Sequence, residues 1–543
     1  MRTVEDLLSL PPNLINGIKH VFGPRRPFGP SSSNGFREHP DVSELVFTTE
    51  NQMWKEYLNH PRIIVGRKGS GKSSILRQTE QSNEYGIVHR ISTSDLLSQC
   101  IDTLFDGPAD YRRISAEQSG KVWGQMINTA LMAQVLKEDT VYRFTRMERY
   151  FEVSGLTLDK KGRNIFGMLR SLSPGSGDVF ATLLNTIISG ILHYRGESGL
   201  EYQAALAELD EYLSERNLKT VIILDSVEQY PLDDYQFTTA LTGLLRCAGA
   251  YGGQFRDLRI GIPAELYHDL EDESSNIMKD FENAIVLHWL PMELLRLIAW
   301  RYLVSLAAYD PARLERFRSL DLVDRGDVHI VLDDFLPRDL HNRRGDIESS
   351  SAYILRHTQL LPRQIIKIFN EAYSTQRPNM PSEYNSIVSA IANAVQIWEP
   401  KFCKEIYGAF RSKYPYASDL CAVCLPTLPR FFDEKLFEKV YREKGKRVIQ
   451  EHSNIGAVSF RDFRQALFEI GAVGRVRDRT IVYADADFEY ALNGRLYAST
   501  KDELCLHPTF SGTYETDANR TSRLFVYPHM SLYDGSEERR LRI

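Results

Sequence analysis

The run Gly66-Arg67-Lys68-Gly69-Ser70-Gly71-Lys72-Ser73 constrains this chain more than any other stretch. The apolar Arg62-Ile63-Ile64-Val65 precedes it, and the helix-prone Ser74-Ile75-Leu76-Arg77-Gln78 follows. A buried strand ending at Gly66 and a helix beginning near Lys72 turn several backbone N–H groups and a helix N-terminus toward one anion. The glycines admit positive φ and let the backbone approach a phosphate closely. In such a loop Lys72 reaches the β- and γ-phosphates, and the Ser73 hydroxyl holds the Mg2+ that bridges them. The expected cofactors are therefore ATP and Mg2+. The expected contacts are Gly66, Arg67, Lys68, Gly69, Ser70, Gly71, Lys72, Ser73 and Ser74.

Bulk properties narrow the setting. With 543 residues the chain has room for several domains, and 43% hydrophobic with 25% charged residues is ordinary for a globular protein. A formal charge of −6 argues against a surface that coats nucleic acid, while leaving room for a local basic patch. Six cysteines (Cys100, Cys247, Cys403, Cys421, Cys424 and Cys505) make no disulfide framework. The start, Met1-Arg2-Thr3-Val4-Glu5-Asp6, lacks an apolar signal core. The longest apolar stretch, Val179 to Leu192, is too short to span a bilayer and reads as an amphipathic helix. A cytoplasmic protein with free thiols and no membrane contact is expected. Cys421-Ala422-Val423-Cys424 has zinc-like spacing, but no second Cys/His pair accompanies it. No hydrolase triad is assigned to His268 or His507.

Short apolar runs at Arg62–Val65, Ile87–Ile91, Val221–Leu224, Leu258–Ile262 and Ala284–Leu287 suit a sheet covered on both faces. Helical patterns lie between them, which predicts an α/β fold with a five-stranded parallel sheet. The third run continues Val221-Ile222-Ile223-Leu224-Asp225, placing an acid at a strand end, where it can meet the magnesium shell.

Together these motifs resemble the additional-strand P-loop ATPases, the AAA+ and STAND groups. The resemblance covers roughly residues 55 to 375 and implies a slow ATPase that works as a switch. In those families the acidic strand commonly ends in two acids, the second of which polarises the attacking water. Here Ser226 stands in that place, and Glu228 is the candidate replacement base; the other reading of Glu228 is a solvated loop acid. Leu258 through Glu265 resembles the strand that presents a polar sensor, offering Glu265 or Arg259, unless both are ordinary surface charges. His288 through Arg301 resembles the passage into a helical lid. Arg356 through Ile366 resembles the lid helix, which begins with a Pro-Arg pair in those families, so that Arg363 can touch the γ-phosphate and couple lid angle to nucleotide state. The catalytic set implied is Lys72, Asp225, Glu228 and Arg363, with Ser73 and Asp225 on Mg2+. In an assembly, Arg246 or Arg256 is the candidate to reach a neighbour's phosphate.

The C-terminal third reads as two amphipathic helices, Asp433–Tyr441 and Ser459–Gly471, with Ser459 as N-cap and Gly471 as stop. The strands Val473–Val476 and Ile481–Tyr483, joined by Arg477-Asp478-Arg479-Thr480, read as a two-stranded wing. This resembles a winged-helix domain. Its basic residues (Lys439, Arg442, Lys444, Lys446, Arg447, Arg475, Arg477 and Arg479) suit DNA phosphates, but interspersed acids leave protein docking equally open. The expected organisation is an N-terminal extension over 1–58 and a P-loop ATPase core over 59–290, with a helical insertion at about 92–218. A helical lid over 291–400, a winged-helix-like domain over 401–510 and a tail over 511–543 complete it. By resemblance, the expected partners are a second copy of the chain and a protein or DNA. Bacterial signalling or defence against phage is the expected setting. The rival readings are a DNA-handling AAA+ ATPase of the origin-recognition or loader type, and a nucleotide-gated scaffold without turnover.

Overall fold

The structure, a computed structural model, describes residues 3–47, 63–81, 85–92, 115–154, 197–225, 235–251, 254–273, 284–342, 345–374, 384–452, 458–492, 494–514 and 524–531. The chain divides into two units. One holds Tyr57–Gly66 and Ile75–Val286; the other holds Met1–Glu56, Arg67–Ser74 and Leu287–Ile543.

The first unit is built on a parallel sheet of β1 (Ile63–Gly66), β2 (Ile87–Ser92), β3 (Thr220–Asp225), β4 (Arg256–Pro263) and β5 (Ala284–Val286), in the order β2-β3-β4-β1-β5. All five expected strands form, each within two residues of its expected bounds. Ile63, Ile64, Val65 and Val221 to Leu224 are fully buried. That explains their unbroken apolar character, because both faces of the sheet are covered. β4 lies between β1 and β3, with Ile63 opposite Ile260 and Leu224 also opposite Ile260. Gly66 and Asp225 thus end their strands at the same edge of the sheet. Helix α1 (Lys72–Gln81) follows the glycine loop after β1. The stretch between β2 and β3 contributes helices Ala116–Glu138, Thr145–Val153 and Glu197–Glu215. The apolar run 179–192 lies outside the described residues.

The second unit is mostly helical. Its central helix α2 (Pro291–Tyr309) is buried along nearly its whole length. The first residues of the chain pack on α2: Trp300 Nε1 donates to Leu45 O at 2.8 Å, and Arg301 Nη1 donates to Phe28 O and Pro30 O at 2.7 and 2.9 Å. The acidic residues Asp321, Asp324, Asp327, Asp333 and Asp334 lie in a segment that supplies turn and cap groups. Asp324 caps helix Arg325–Asp333, and Asp334 binds Arg313 and the Tyr302 hydroxyl. A hairpin of β6 (Asp339–His341) and β7 (Ile347–Ser349) precedes α3 (Pro362–Tyr373). Helix α4 (Tyr384–Ala409) then runs unbroken through residue 400, so the expected boundary there falls inside one helix.

The C-terminal region is a module with its own core, centred on Phe437, Phe463, Leu467 and Phe510. Ser459 caps α5 (Phe460–Glu469) in a reciprocal arrangement with Asp462, and Gly471 leaves the helix at φ +75, as expected. The two-stranded wing is corrected. The hairpin belongs to a five-stranded sheet, β12-β10-β9-β11-β8, formed by β8 (Phe431–Phe432), β9 (Val473–Arg479), β10 (Tyr483–Asp487), β11 (Leu504–Leu506) and β12 (Phe525–Pro528). Arg477 and Arg479 lie in β9 instead of the turn. The Thr480 hydroxyl accepts from Val482 N and Tyr483 N, moving the reversal to 480–482. Among the described residues no helix is long and apolar enough to cross a membrane.

Candidate functional site

The loop between β1 and α1 has the backbone that its glycines predict. Gly69 and Gly71 sit at φ +94 and +107, conformations a side chain at either position would strain. An anion cradle needs its carbonyls turned outward, so that N–H groups face in. Here three loop carbonyls are held by hydrogen bonds. Trp289 Nε1 donates to Ser70 O at 2.8 Å, Arg363 N donates to Gly69 O at 3.4 Å, and Lys72 Nζ donates to Arg67 O at 3.3 Å. Ser70 N also donates to Arg67 O at 3.0 Å and tightens the turn. Lys72 is 5% exposed although it carries an ammonium group, and Lys68 points to solvent. Ser70 Oγ is fully buried and has no partner among the described residues. An unpartnered buried hydroxyl such as that of Ser70 is costly unless another polar group meets it. The donors, the positive-φ glycines and the start of α1 therefore fit a polyphosphate. Ser73 is half-buried in the first turn of α1.

Arg363 meets this loop directly. It is the second residue of α3, after Pro362, and half-buried. A Cβ on Gly69 would stand 3.0 Å from Arg363 Cβ and 3.4 Å from Arg363 Nε. The preceding turn is held by side chains: Gln364 Oε1 accepts from Gln359 N at 2.6 Å, and the Thr358 hydroxyl accepts from Leu360 N at 3.1 Å. Leu360 takes φ +51 there, a left-handed backbone that these bonds impose on a branched residue.

Within the parallel-sheet unit, Asp225 is half-buried at the end of β3. Gly261 of β4 has no side chain at the point where α1 and the acid converge. A Cβ there would lie 3.1 Å from Leu76 Cδ1 and 3.6 Å from Asp225 Oδ1. Ser226 and Glu228 lie outside the described residues. Glu265 is buried in the first turn of the helix Ala264–Glu273 that follows β4. Arg259 is corrected as a strand-end sensor. It sits in the middle of β4, paired to Asp257 at 2.7 Å and bonded to the Tyr85 hydroxyl at 3.3 Å. Arg256 opens β4 at the opposite edge of the sheet, tied to Asp210 at 2.8 Å and Asn128 at 2.9 Å. Arg246 lies on helix Tyr235–Ala250.

The basic residues of the C-terminal module are largely matched by acids. Arg475 pairs with Asp487 at 3.0 Å, Arg477 with Asp485, and Arg479 with Glu503. On the helices Lys439 faces Glu443, Arg442 faces Glu438, and Arg447 faces Glu451, each one turn apart. Charges balanced this way offer DNA phosphates little net attraction. Cys403, Cys421, Cys424 and Cys505 are buried free thiols, with burial pushing each up in pKa, and no metal-holding cluster occurs among the described residues.

Sequence reasoning missed the residues that frame the loop from a distance. The sequence marks Trp289 only as part of a passage into a helical lid, and Gln359 only as part of the segment that resembles the lid helix. Their partners lie hundreds of positions away, where no periodicity reaches. Comparison with known proteins finds no match to a family model, to a curated protein or to a solved structure.

Proposed function

We propose that this chain is a Mg2+-dependent ATP-binding switch of the additional-strand P-loop kind, with slow hydrolysis. The observation that carries the reading is the loop itself: carbonyls of Arg67, Gly69 and Ser70 fixed by hydrogen bonds, two glycines at positive φ, and a buried lysine and serine at the start of a helix. The intervening strand β4 supports the additional-strand assignment.

In this reading the loop amides and Lys72 bind the phosphates, and Ser73 with Asp225 holds Mg2+. When bound, the ion neutralises charge that develops on the transferred phosphoryl group. Arg363, at the loop through its own backbone N–H, adds a guanidinium that can pair with phosphate oxygens and carry nucleotide state into α3. Glu228 is the proposed base, and its offset position behind Ser226 favours slow turnover. A winged-helix-like role for the C-terminal module, self-assembly, a cytoplasmic location, and signalling or defence complete the proposal by analogy with STAND proteins. Acids beside the module's arginines favour protein docking over DNA.

The test is calorimetric titration with ATP and Mg2+ beside phosphate release. Binding that weakens at least about tenfold in Lys72→Ala supports the reading, since each tenfold is about 1.4 kcal/mol of lost phosphate contact. Glu228→Gln that keeps all measurable turnover removes Glu228 as base. Binding without turnover in the wild type would favour the scaffold reading, which the serine at position 226 also favours.

A further inference from the structure

We infer that Arg67 is a latch tying the phosphate loop to the C-terminal module, so that the module sets how tightly the loop holds a nucleoside triphosphate. The inference rests on the nucleotide reading above and adds a regulator of that site from within the chain.

Arg67 is the second residue of the loop, and its side chain is taken up by the protein itself. It is 9% exposed and enters a socket made by distant segments. Nη1 donates to Gln359 Oε1 at 3.3 Å, and Nη2 donates to the main-chain oxygen of Glu469, the last residue of α5. The guanidinium also lies over two rings, with its carbon 5.4 Å from the Phe410 centroid and 5.5 Å from that of Tyr490. A planar cation between two ring faces and two acceptors recovers much of the hydration it lost. An ammonium group cannot satisfy that set.

The socket is built with comparable care. Gln359 Nε2 donates to Ile470 O at 2.8 Å, and Gly471 permits this approach: a Cβ there would meet Gln359 Nε2 at 2.7 Å. The Glu469 carboxylate is held by Lys413 at 2.6 Å, by the Tyr414 hydroxyl at 2.9 Å and by Arg495. On the loop side, the Arg67 carbonyl receives both Ser70 N and Lys72 Nζ. Anchoring the Arg67 side chain therefore fixes the peptide that orients the start of the cradle and the catalytic lysine. Arg67 is a positioning residue, acting through Lys72 and the loop amides. Because coupling is reciprocal, a triphosphate that prefers the anchored loop stabilises the docked module by the same factor.

The experiment uses the full chain. Affinity for ATP with Mg2+ is measured for wild type, Lys72→Ala, Arg67→Ala, Arg67→Lys, Phe410→Leu and the Arg67→Ala/Phe410→Leu double variant. Hydrogen exchange at residues 68–74 is followed in nucleotide-free protein. The expected results are about tenfold or greater weakening in Arg67→Ala, little rescue by Arg67→Lys, a smaller loss in Phe410→Leu, and a double variant no weaker than Arg67→Ala. Exchange at the loop should quicken in every socket variant. Wild-type affinity in Arg67→Ala beside a weakened Lys72→Ala overturns the latch, as do losses that multiply in the double variant. If Lys72→Ala equals wild type, the nucleotide reading fails instead. Loop exchange then judges the tie alone: unchanged exchange in folded Arg67→Ala or Arg67→Lys overturns it.

Discussion

Glu489 shows how burial near the Arg67 socket becomes a measurable quantity. It is 5% exposed, and Glu469 stands close enough to repel its charge. Burial first, and Glu469 second, push its carboxyl up to about 7, against a Leu496 N–H bond and the charges of Arg67 and Arg495. The folded state therefore holds a proton between pH 4.5 and 7 that the unfolded chain has released, and stability falls as pH rises through that window. Glu489→Gln keeps an oxygen for Leu496 and removes the ionisation. Chemical denaturation should find it more stable than wild type at pH 8, by on the order of 2–3 kcal/mol, and nearly equal below pH 4.5. Gly69 gives a second prediction at this scale. Alanine there would combine strained φ with a 3.0 Å approach to Arg363 Cβ. Gly69→Ala should weaken ATP binding about tenfold or more in titration while lowering overall stability by only about 1–3 kcal/mol.

Among the elements, those with local causes were the legible ones. The five parallel strands announce themselves by runs such as Val221–Leu224, and α5 by Ser459 and Gly471. The full five-stranded sheet is hidden in the sequence because β8 and β11 are two and three residues long, too short for alternation to register, and β12 is nearly forty residues beyond β10. The Arg67 socket was invisible for the same reason: its partners lie 292 and 402 positions away. His507 ties β11 to the following helix Pro508–Thr513 in a way that pH should report. Thr509 N donates to its Nδ1 at 3.1 Å, which leaves the proton on Nε2 to meet the Tyr490 hydroxyl at 2.9 Å. Complete burial, and then the neighbouring His357 and His529, hold its pKa well below 6.5. The unfolded chain takes up a proton that the folded one refuses, so this contribution is lost as pH falls below 6.5. Exchange protection in β11 and the helix after it should decline on acidification, and less so in a folded His507→Gln variant. In the sheet, Gly261→Val would fill the space between Leu76 and Asp225. It should weaken nucleotide binding more in Mg2+ than in EDTA, whereas equal loss in both would detach Asp225 from the metal.

At the scale of the whole molecule, the account is one of linkage. A triphosphate can act as a switch only by preferring one state of the chain over another. The loop touches α3 through Arg363 and the C-terminal module through Arg67, giving that preference two mechanical outlets within one unit. Self-assembly on nucleotide binding, if it follows, should appear as a rise in scattering mass with ATP and Mg2+ that Arg67→Ala diminishes. The most direct measurement is calorimetry of folded, full-length protein with ATP and Mg2+, beside Lys72→Ala. The account predicts saturable heat in the wild type and at least about tenfold weaker binding in the variant. No heat with ATP in either protein, or equal affinity in both, would contradict it.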